Sequence, residues 1–477
     1  MLAINIGLQP THWINFNMKI KLTLLLSTMI ANFFAQTTKW SCAKTDEQCC
    51  ISIKSIKMDS EKNSYITGWF NSYSVTLGNN SQQLKNTNHS ENLMVAKLDP
   101  KGNILWAKNV GNTMNTEALG IAIDKSGNSY ITGFFEAPSI TFGSFILKNV
   151  SSNNAISNNS RDLFITKYDN MGNVVWAKSC GGTKKDQSTS ISADENGNIL
   201  IAGTFSSPSI KFGAITLTNN GEENSTIFIA KYNSSGDLLW ATSAGGDKND
   251  DLTSITTDTE NNVFIAGSFY GFIAFDTTRI NSTDTIYSDI FVAKYNASGH
   301  LLWVKKAGGH GQDAASSIAV DISGNCYVTG LTGHYQSASL TFDSIILMEK
   351  EYGEGKFKLF IAKYDSKGNA LWARTAGSNE TDMNNAVVCD ISGNCYLAGS
   401  FDSKTIAFDD KILENKQCSS SMVFITKFDT KGKVTWLKSP ANDECLDFSA
   451  FTIDPQMNCH FIGSHPNNST VFTFKVD

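Results

Sequence analysis

The chain has 477 residues, of which 41% are apolar and 18% charged, with a formal net charge of −6. That composition can fill a large core, and without any Lys/Arg-rich block it speaks against nucleic acid as a partner. Proline is scarce (7) and glycine common (36), and no 3.6-residue apolar period is sustained after residue 36, so the chain reads as all-β.

The chain opens on a targeting segment. Lys19 and Lys21 precede the apolar run LTLLLSTMIANFF, Leu22 to Phe34, which is short for a bilayer span. Residues 1–36 are therefore expected to be a secretory signal translated from Met18, with 1–17 as an upstream mis-start and cleavage near Ala35 and Gln36. No second such run follows, so no membrane span is expected after the signal is removed. The expected location is secreted, periplasmic or at the cell surface.

Residues 37–477 are organised by a repeat, which makes one large domain of a long chain. The stretch DISGNCYVTG from Asp321 has relatives at Asp59, Asp124, Asp194, Asp258, Asp390 and Asp454, separated by 63 to 70 residues. Trp106, Trp176, Trp240, Trp303, Trp372 and Trp436 each precede their aspartate by 18 residues, and Trp40 precedes Asp59 by 19. Before each of the last six tryptophans runs a stretch like LFIAKYDSKGNALW, Leu359 to Trp372, whose alternation and D/N-x-x-G turn predict a hairpin. Each repeat thus offers four strands, A to D.

Both hairpin turns use one chemistry. Asp or Asn at the first position accepts backbone N–H groups ahead of it, and Gly at the fourth takes a left-handed conformation without a Cβ penalty. Asn261 can replace that glycine, whereas Lys62 and Met457 break the rule.

The two ends complement each other. VFTFKVD, Val471 to Asp477, matches strand C with no strand D after it, and TTKWSCAK, Thr37 to Lys44, matches strand D with no strand C before it. A closed ring accounts for both, because an open array would leave bare edges. The expectation is a seven-bladed β-propeller of four-stranded antiparallel blades, closed by an N-terminal strand that completes the last blade.

Blade topology puts the tight A–B and C–D turns on one face and the longer B–C and D–A connections on the other. Six B–C stretches carry an apolar patch, from SVTL at Ser74 to TIAF at Thr405, read as an extra strand or hairpin. Long loops on a rigid scaffold are where binding usually lives.

The pattern D-x-x-G-N-x-Y-x-x-G, then F-x-A-K-Y-D-x-x-G-N-x-L-W, then A-G-G, resembles the secreted bacterial beta-propeller repeat (SBBP) proteins over nearly all of residues 37–477. The resemblance implies a seven-bladed propeller, export and no established common activity. It supplies no catalytic residues.

Candidate ligand-binding residues are the D–A loop aspartates Asp186, Asp250, Asp313 and Asp382, each ten residues after its tryptophan. Carboxylates from several blades could converge on a sugar or a cation, calcium being the ion they suit. Capping the start of strand A explains them as well, and no metal site or cofactor is assigned. The A–B aspartates read as turn caps. The recurrent tryptophans and strand-C tyrosines read as inter-blade packing, and the strand-C lysines as repeated ion pairs or a solvated edge.

Two disulfides are candidates in an oxidising compartment. Cys49 and Cys445 each follow a tryptophan by nine residues, on adjacent D–A loops beside the closure. Cys389 and Cys395 flank the Asp390 turn at a separation a disulfide can span, although Cys326 and Cys459 at the strand-B position argue that Cys395 is a small core filler.

The histidines lie at unlike positions, and no nucleophile elbow, zinc motif or phosphate loop occurs. The expected function is a non-catalytic binding or display propeller, a monomer, with a glycan or protein on the loop-rich face. The alternative is a propeller enzyme, either a polysaccharide lyase or hydrolase or a quinoprotein-like protein, since YDSKGNALW faintly resembles quinoprotein hairpins.

Overall fold

In the turn after strand A, the Asp321 carboxylate does the work expected of it. Its Oδ1 accepts the N–H groups of Ser323 and Asn325, both at 3.0 Å, and its Oδ2 accepts the Asn325 amide at 2.9 Å and the Tyr327 hydroxyl at 3.2 Å. The backbone closes through Gly324 N–H to Asp321 O at 2.9 Å, with Gly324 left-handed at φ 75°. Lys62 (φ 66°), Asn261 (φ 63°) and Met457 (φ 65°) take the same conformation. The turn geometry therefore survives without glycine, at a local cost of roughly 1–2 kcal/mol where the residue is neither Gly nor Asn.

The computed structural model describes residues 38–45, 51–87, 90–111, 114–153, 160–219, 221, 224–333, 339–348, 357–376, 382–416, 418, 421–439, 445–464 and 471–476. The expected signal over 1–36 lies outside them, as do Cys49 and Cys50. Among the described residues no helix is long and apolar enough to cross a membrane, which says nothing of strands.

The fold is an all-β propeller of antiparallel sheets. Blade 1 runs Ile51–Met58, Ser64–Phe70, Asn92–Leu98 and Ile104–Val110, hydrogen-bonded in that order as strands A to D. Five more blades repeat that order over 116–180, 186–245, 250–308, 313–376 and 382–438. Seven four-stranded blades were expected, the last completed by an N-terminal strand; six are seen, each built from continuous chain. The remaining large sheet is composite: Asp447–Ile453, Cys459–Ser464, Val471–Val476, Thr38–Thr45, Ser74–Leu77 and Gln82–Lys85. In it Thr38 lies opposite Lys475 and Trp40 opposite Thr473.

The core lies between sheets rather than inside one. One apolar cluster joins Tyr130, Leu163 and Trp176 of blade 2 to Ile199, Phe228 and Tyr232 of blade 3. Another joins Tyr327, Ile361 and Trp372 of blade 5 to Leu397, Phe424 and Phe428 of blade 6.

The strand-D tryptophans of blades 1 to 5 each reach the next blade's C–D turn. The indole N–H donates to a turn carbonyl: Trp106 to Asn170 at 3.0 Å, Trp176 to Ser234 at 3.2 Å, Trp240 to Ala297 at 3.1 Å and Trp303 to Ser366 at 3.2 Å. The turn glycine two residues on lies flat against that ring. A Cβ on Gly172, Gly299 or Gly432 would stand 2.6–2.7 Å from the indole of Trp106, Trp240 or Trp372. The packing role expected of the tryptophans is therefore what the structure displays.

The B–C patches are hairpins, and three of them extend the neighbouring sheet rather than their own. Ser74–Leu77 pairs with Thr38–Thr45, Phe272–Phe275 with the blade 3 strand Leu238–Gly245, and Ser339–Phe342 with the blade 4 strand Leu301–Gly308. Each such hairpin covers an outer edge that would otherwise be bare.

The disulfide pairing departs from expectation. Cys445 is bonded to Cys418, with a Cα–Cα separation of 5.3 Å, so it is not available to Cys49. The reason is the path of blade 6's B–C loop, which brings Cys418 to the D–A loop carrying Cys445. Cys389 and Cys395 do face each other in register, but both are free thiols. Cys395 is fully buried in the cluster between blades 5 and 6, where a small apolar side chain suffices.

The ring contact predicts a measurable contrast. Gly197 and Gly299 are both left-handed (φ 76° and 84°), but a Cβ on Gly197 would meet nothing within 4 Å. Gly197→Ala is expected to cost about 1 kcal/mol of unfolding free energy, and Gly299→Ala about 2–3 kcal/mol more, from conformational strain plus overpacking. Urea unfolding of both variants checks this, and equal losses would show that the indole does not constrain the turn.

Candidate functional site

Three of the four sequence-predicted aspartates are engaged in hydrogen bonds at the starts of their strands. Asp186, Asp250 and Asp313 each open strand A of their blade and are buried. Asp186 accepts the Ser207 hydroxyl at 2.7 Å and the N–H groups of Ser206 and Ser207, both at 3.2 Å. Asp250 accepts Gly246 N–H at 2.9 Å, and Asp313 accepts Gly309 N–H at 2.9 Å and the Thr332 hydroxyl at 2.6 Å. Burial pushes Asp186 up to about 6 and Asp250 up to about 8, against the pull of those hydrogen bonds. The central channel is lined from three residues further on, at Thr189, Thr253 and Ser316. Asp382 opens strand A of blade 6, and its side chain is outside the description. Among the described residues no three His, Cys, Asp or Glu are grouped to hold a metal.

The paired glycines before these aspartates serve close approach. A Cβ on Gly181 or Gly308 would stand 2.1 or 2.4 Å from the carboxylate of Asp162 or Asp289, the first residue of strand C. A Cβ on Gly246 or Gly309 would strike the carbonyl oxygen of Phe272 or Ser339 in the outer hairpin.

The strand-C lysines pair with the A–B aspartates. Lys231 lies 2.8 Å from Asp194, Lys294 3.3 Å from Asp258, and Lys97 and Lys363 both 3.5 Å from Asp59 and Asp321. Burial raises Asp194, but the hydrogen bonds from Lys231 and Asn198 outweigh it and hold the carboxyl below its usual range. Of the expectations for these lysines, the structural ion pair is the one seen.

A different group of charges sits at the loop-rich mouth, on blades 1 to 3. Glu117, second in strand A of blade 2, is pushed up to about 7 by burial and then by the charge and hydrogen bond of Glu91, while Lys54 and Arg161 pull it down. Burial also raises Glu136, with Arg161 opposing. Arg161 stacks on the Phe134 ring, its guanidinium carbon 4.2 Å from the centroid. Its buried Nε has no acceptor among the described residues. Desolvation lowers Arg161, and Glu136, Glu117 and Asp186 counter that.

From Arg161 a groove of about 350 Å³ runs over blades 3 and 4, lined by Lys185, Gln187, Asn249, Asp251 and Tyr270 among others. Of the sequence-predicted residues Asp250 lines this groove; its other members were missed because sequence reasoning looked for what recurs. The signal lies in difference: two residues into strand A stand Ser52, Glu117, Gln187, Asp251 and Ala314, so charge is placed blade by blade.

Antiparallel sheets stacked side by side around a channel define the class as a β-propeller. In keeping with that, a family model described as "Beta-propeller repeat" (SBBP) matches residues 302–335. An uncharacterized WD repeat-containing protein of Acanthamoeba polyphaga mimivirus is 27% identical over 236 residues, 44% of this chain and 17% of that protein. The regulatory protein FlaEY of Caulobacter vibrioides is 25% identical over 235 residues, 48% of this chain and 23% of that protein. The chain thus spans less than a quarter of the length of either relative. Among solved structures, the Neurospora crassa Pan2 WD40 domain aligns at a TM-score of 0.40 and 9% identity, covering 89% of each chain. Virginiamycin B lyase from Staphylococcus aureus aligns at 0.44 and 9% identity, covering 93% of this chain and 100% of that one.

The Glu91–Glu117 contact sets a pH dependence. A carboxyl raised in the folded state disfavours the ionised form there, so stability is lost as pH rises from the ordinary glutamate range through about 7. Glu117→Gln removes that loss. The variant should match the parent at pH 4 and exceed it at pH 8 by about 1–2 kcal/mol, the figure being reduced for partial exposure. Thermal unfolding across pH checks this, and a constant difference would contradict it.

Proposed function

We propose that the chain is an exported, non-catalytic binding propeller of the secreted bacterial repeat kind, taking its ligand on the face that bears the B–C and D–A loops. The observation that carries this is the groove from Arg161 to Tyr270, in which amides, charged groups and one aromatic ring converge. Such a lining suits a glycan better than an apolar protein anchor, because tyrosine offers a flat apolar body and a polar tip beside hydrogen-bonding neighbours. Arg161 lines the groove at its blade 2 end, where a guanidinium can donate to ligand oxygens. Export is supported by the Cys418–Cys445 disulfide, which persists in oxidising compartments, and by the apolar segment at 22–34.

The ring itself has seven blades in this reading, the composite sheet being the seventh. Its strand order matches that of blade 3 with the hairpin of blade 4 attached, and strand Asp447–Ile453 packs against the A strands of both blade 1 and blade 6. The N-terminal strand then closes the ring. Removing residues 38–45 would bare the edges of Val471–Val476 and Ser74–Leu77. A truncated protein starting at residue 46 should aggregate or melt at least 10 °C lower, by the order of magnitude that several lost kcal/mol imply. Unchanged melting would refute the closure.

A second reading, a polysaccharide hydrolase or lyase, draws on Glu117, held near neutrality beside Glu91 as a proton donor would be. A glycan array and a protein-interaction screen on residues 37–477, with product analysis on any bound glycan, separate the readings. Binding without products, weakened roughly tenfold or more by Arg161→Ala, is expected for the binding propeller. Product release abolished by Glu117→Gln would favour the enzyme, and full binding by Arg161→Ala would move the site elsewhere.

A further inference from the structure

The central channel is walled by the A strands, and its character is not that of the mouth. It encloses about 670 Å³. Hydroxyls are grouped on three neighbouring blades: Ser190 and Ser192 of blade 3, Ser254 and Thr256 of blade 4, and Ser316 and Ser317 of blade 5. Lys54 and Lys57 of blade 1 are the charged residues among those described, and no carboxylate lines this space with them.

The two lysines are not equivalent. Lys54 acts on Glu117 at the mouth, where its charge offsets part of that carboxyl's elevation. Lys57 stands deeper and has no ion pair or hydrogen bond among the described residues. Its near neighbour in sequence, Asp59, is engaged elsewhere: it caps its own turn, binds the Asn63 amide at 2.8 Å and pairs with Lys97 at 3.5 Å. Lys57 is exposed to the channel, whose walls lower its ammonium from the ordinary lysine value. With Lys54 it gives a channel lined by two ammonium groups and no carboxylate, a setting that favours a diffusible anion.

The hydroxyls are oriented to help. Ser190 Oγ accepts Ile255 N–H at 3.2 Å, Ser254 Oγ accepts Ile318 N–H at 3.2 Å, and Ser317 Oγ accepts Val387 N–H at 3.3 Å. Each serine thereby uses a lone pair to tie its blade to the next. Its own O–H proton is left to donate, and an N–H pointing at the oxygen polarises that proton further. The register at this level is offset by a bulge in each strand, between Ser188 and Ser190, Leu252 and Ser254, and Ala315 and Ser317. Past the bulge the strands alternate normally, so each serine lies on the face opposite the buried Ile191, Ile255 or Ile318.

We propose that the channel binds a tetrahedral oxyanion, phosphate or sulfate, with Lys57 as counter-charge and the Ser190, Ser254 and Ser317 hydroxyls as donors. The site is separate from the Arg161 groove, and its failure would leave the loop-face reading untouched.

Titration calorimetry with inorganic phosphate and with sulfate tests it on the intact protein. One ion per chain is expected. Affinity should fall roughly tenfold or more in Lys57→Gln, recover in Lys57→Arg, and stay unchanged in Lys125→Gln, which alters an exposed pair with Glu195. No uptake by the parent protein, or equal uptake by a folded Lys57→Gln, would overturn the proposal. Should Lys57→Gln not fold, a tungstate soak of parent crystals decides: an anomalous peak beside Lys57 Nζ supports the site, and a peak only elsewhere refutes it. Glucose 6-phosphate in a parallel titration distinguishes sources. Weaker binding than inorganic phosphate points to a free ion, and tighter binding to the phosphate of a larger ligand.

Discussion

The propeller depends on one repeated contact: an indole laid over a glycine in the next blade's turn. That single side chain links three requirements. Its ring fills the space between sheets, its N–H needs an acceptor once buried, and its face leaves no room for a Cβ beneath it. The acceptor is the carbonyl two residues before the glycine, as with Ala297 and Gly299 under Trp240. The turn presents that carbonyl only in its left-handed form. Local turn chemistry and blade spacing are therefore one constraint, because a turn that relaxed would leave the indole N–H buried and unpaired.

The strand-C lysines reinforce the same seam. Lys231 Nζ reaches Asp194 in its own blade and also donates to the Ala297 carbonyl of the next, at 3.3 Å, the oxygen that Trp240 uses. Lys363 does likewise with Asp321 and the Thr430 carbonyl, at 3.4 Å. A buried ion pair alone is a weak source of stability, because desolvation offsets most of the attraction. Here each ammonium also donates to a backbone carbonyl, and each carboxylate also accepts backbone N–H groups and an Asn amide, with the Tyr327 hydroxyl added at Asp321. In the final repeat His460 replaces that tyrosine, 3.5 Å from Asp454.

These features were legible in the sequence because each recurs at a fixed spacing: the Asp-to-Gly turn, the tryptophan 18 residues ahead, the lysine in strand C. Repetition turns a weak local signal into a strong one. What was not legible breaks the repeat. Lys62 and Met457 looked like exceptions, yet their turns close as the others do, since the surrounding hydrogen bonds impose the geometry on whatever residue is there. Cys418 was passed over as a partner for Cys445, because positions relative to tryptophan say nothing of where a long B–C loop returns. The hairpins were visible, but not that some join the preceding sheet, because strand pairing across blades depends on how far each loop reaches. Glu117 and Arg161 could not be found by seeking a ring of like residues, since each stands in one blade only.

That last point bears on where a propeller built from near-copies can bind anything specifically. A residue present in every blade offers as many equivalent sites as there are blades, and here such residues are consumed by the frame. The tryptophans lie against turns, and the D–A aspartates hold their own strand starts. Specific recognition needs symmetry to be broken. One sector breaks it with charges of both signs: Lys54, Lys57, Glu91, Glu117 and Arg161 all belong to blades 1 and 2. Opposite them the channel wall carries hydroxyls, which donate or accept without committing to a sign of charge. A ring with one charged sector and one neutral, adaptable sector can orient a ligand, where a uniform ring could only hold it.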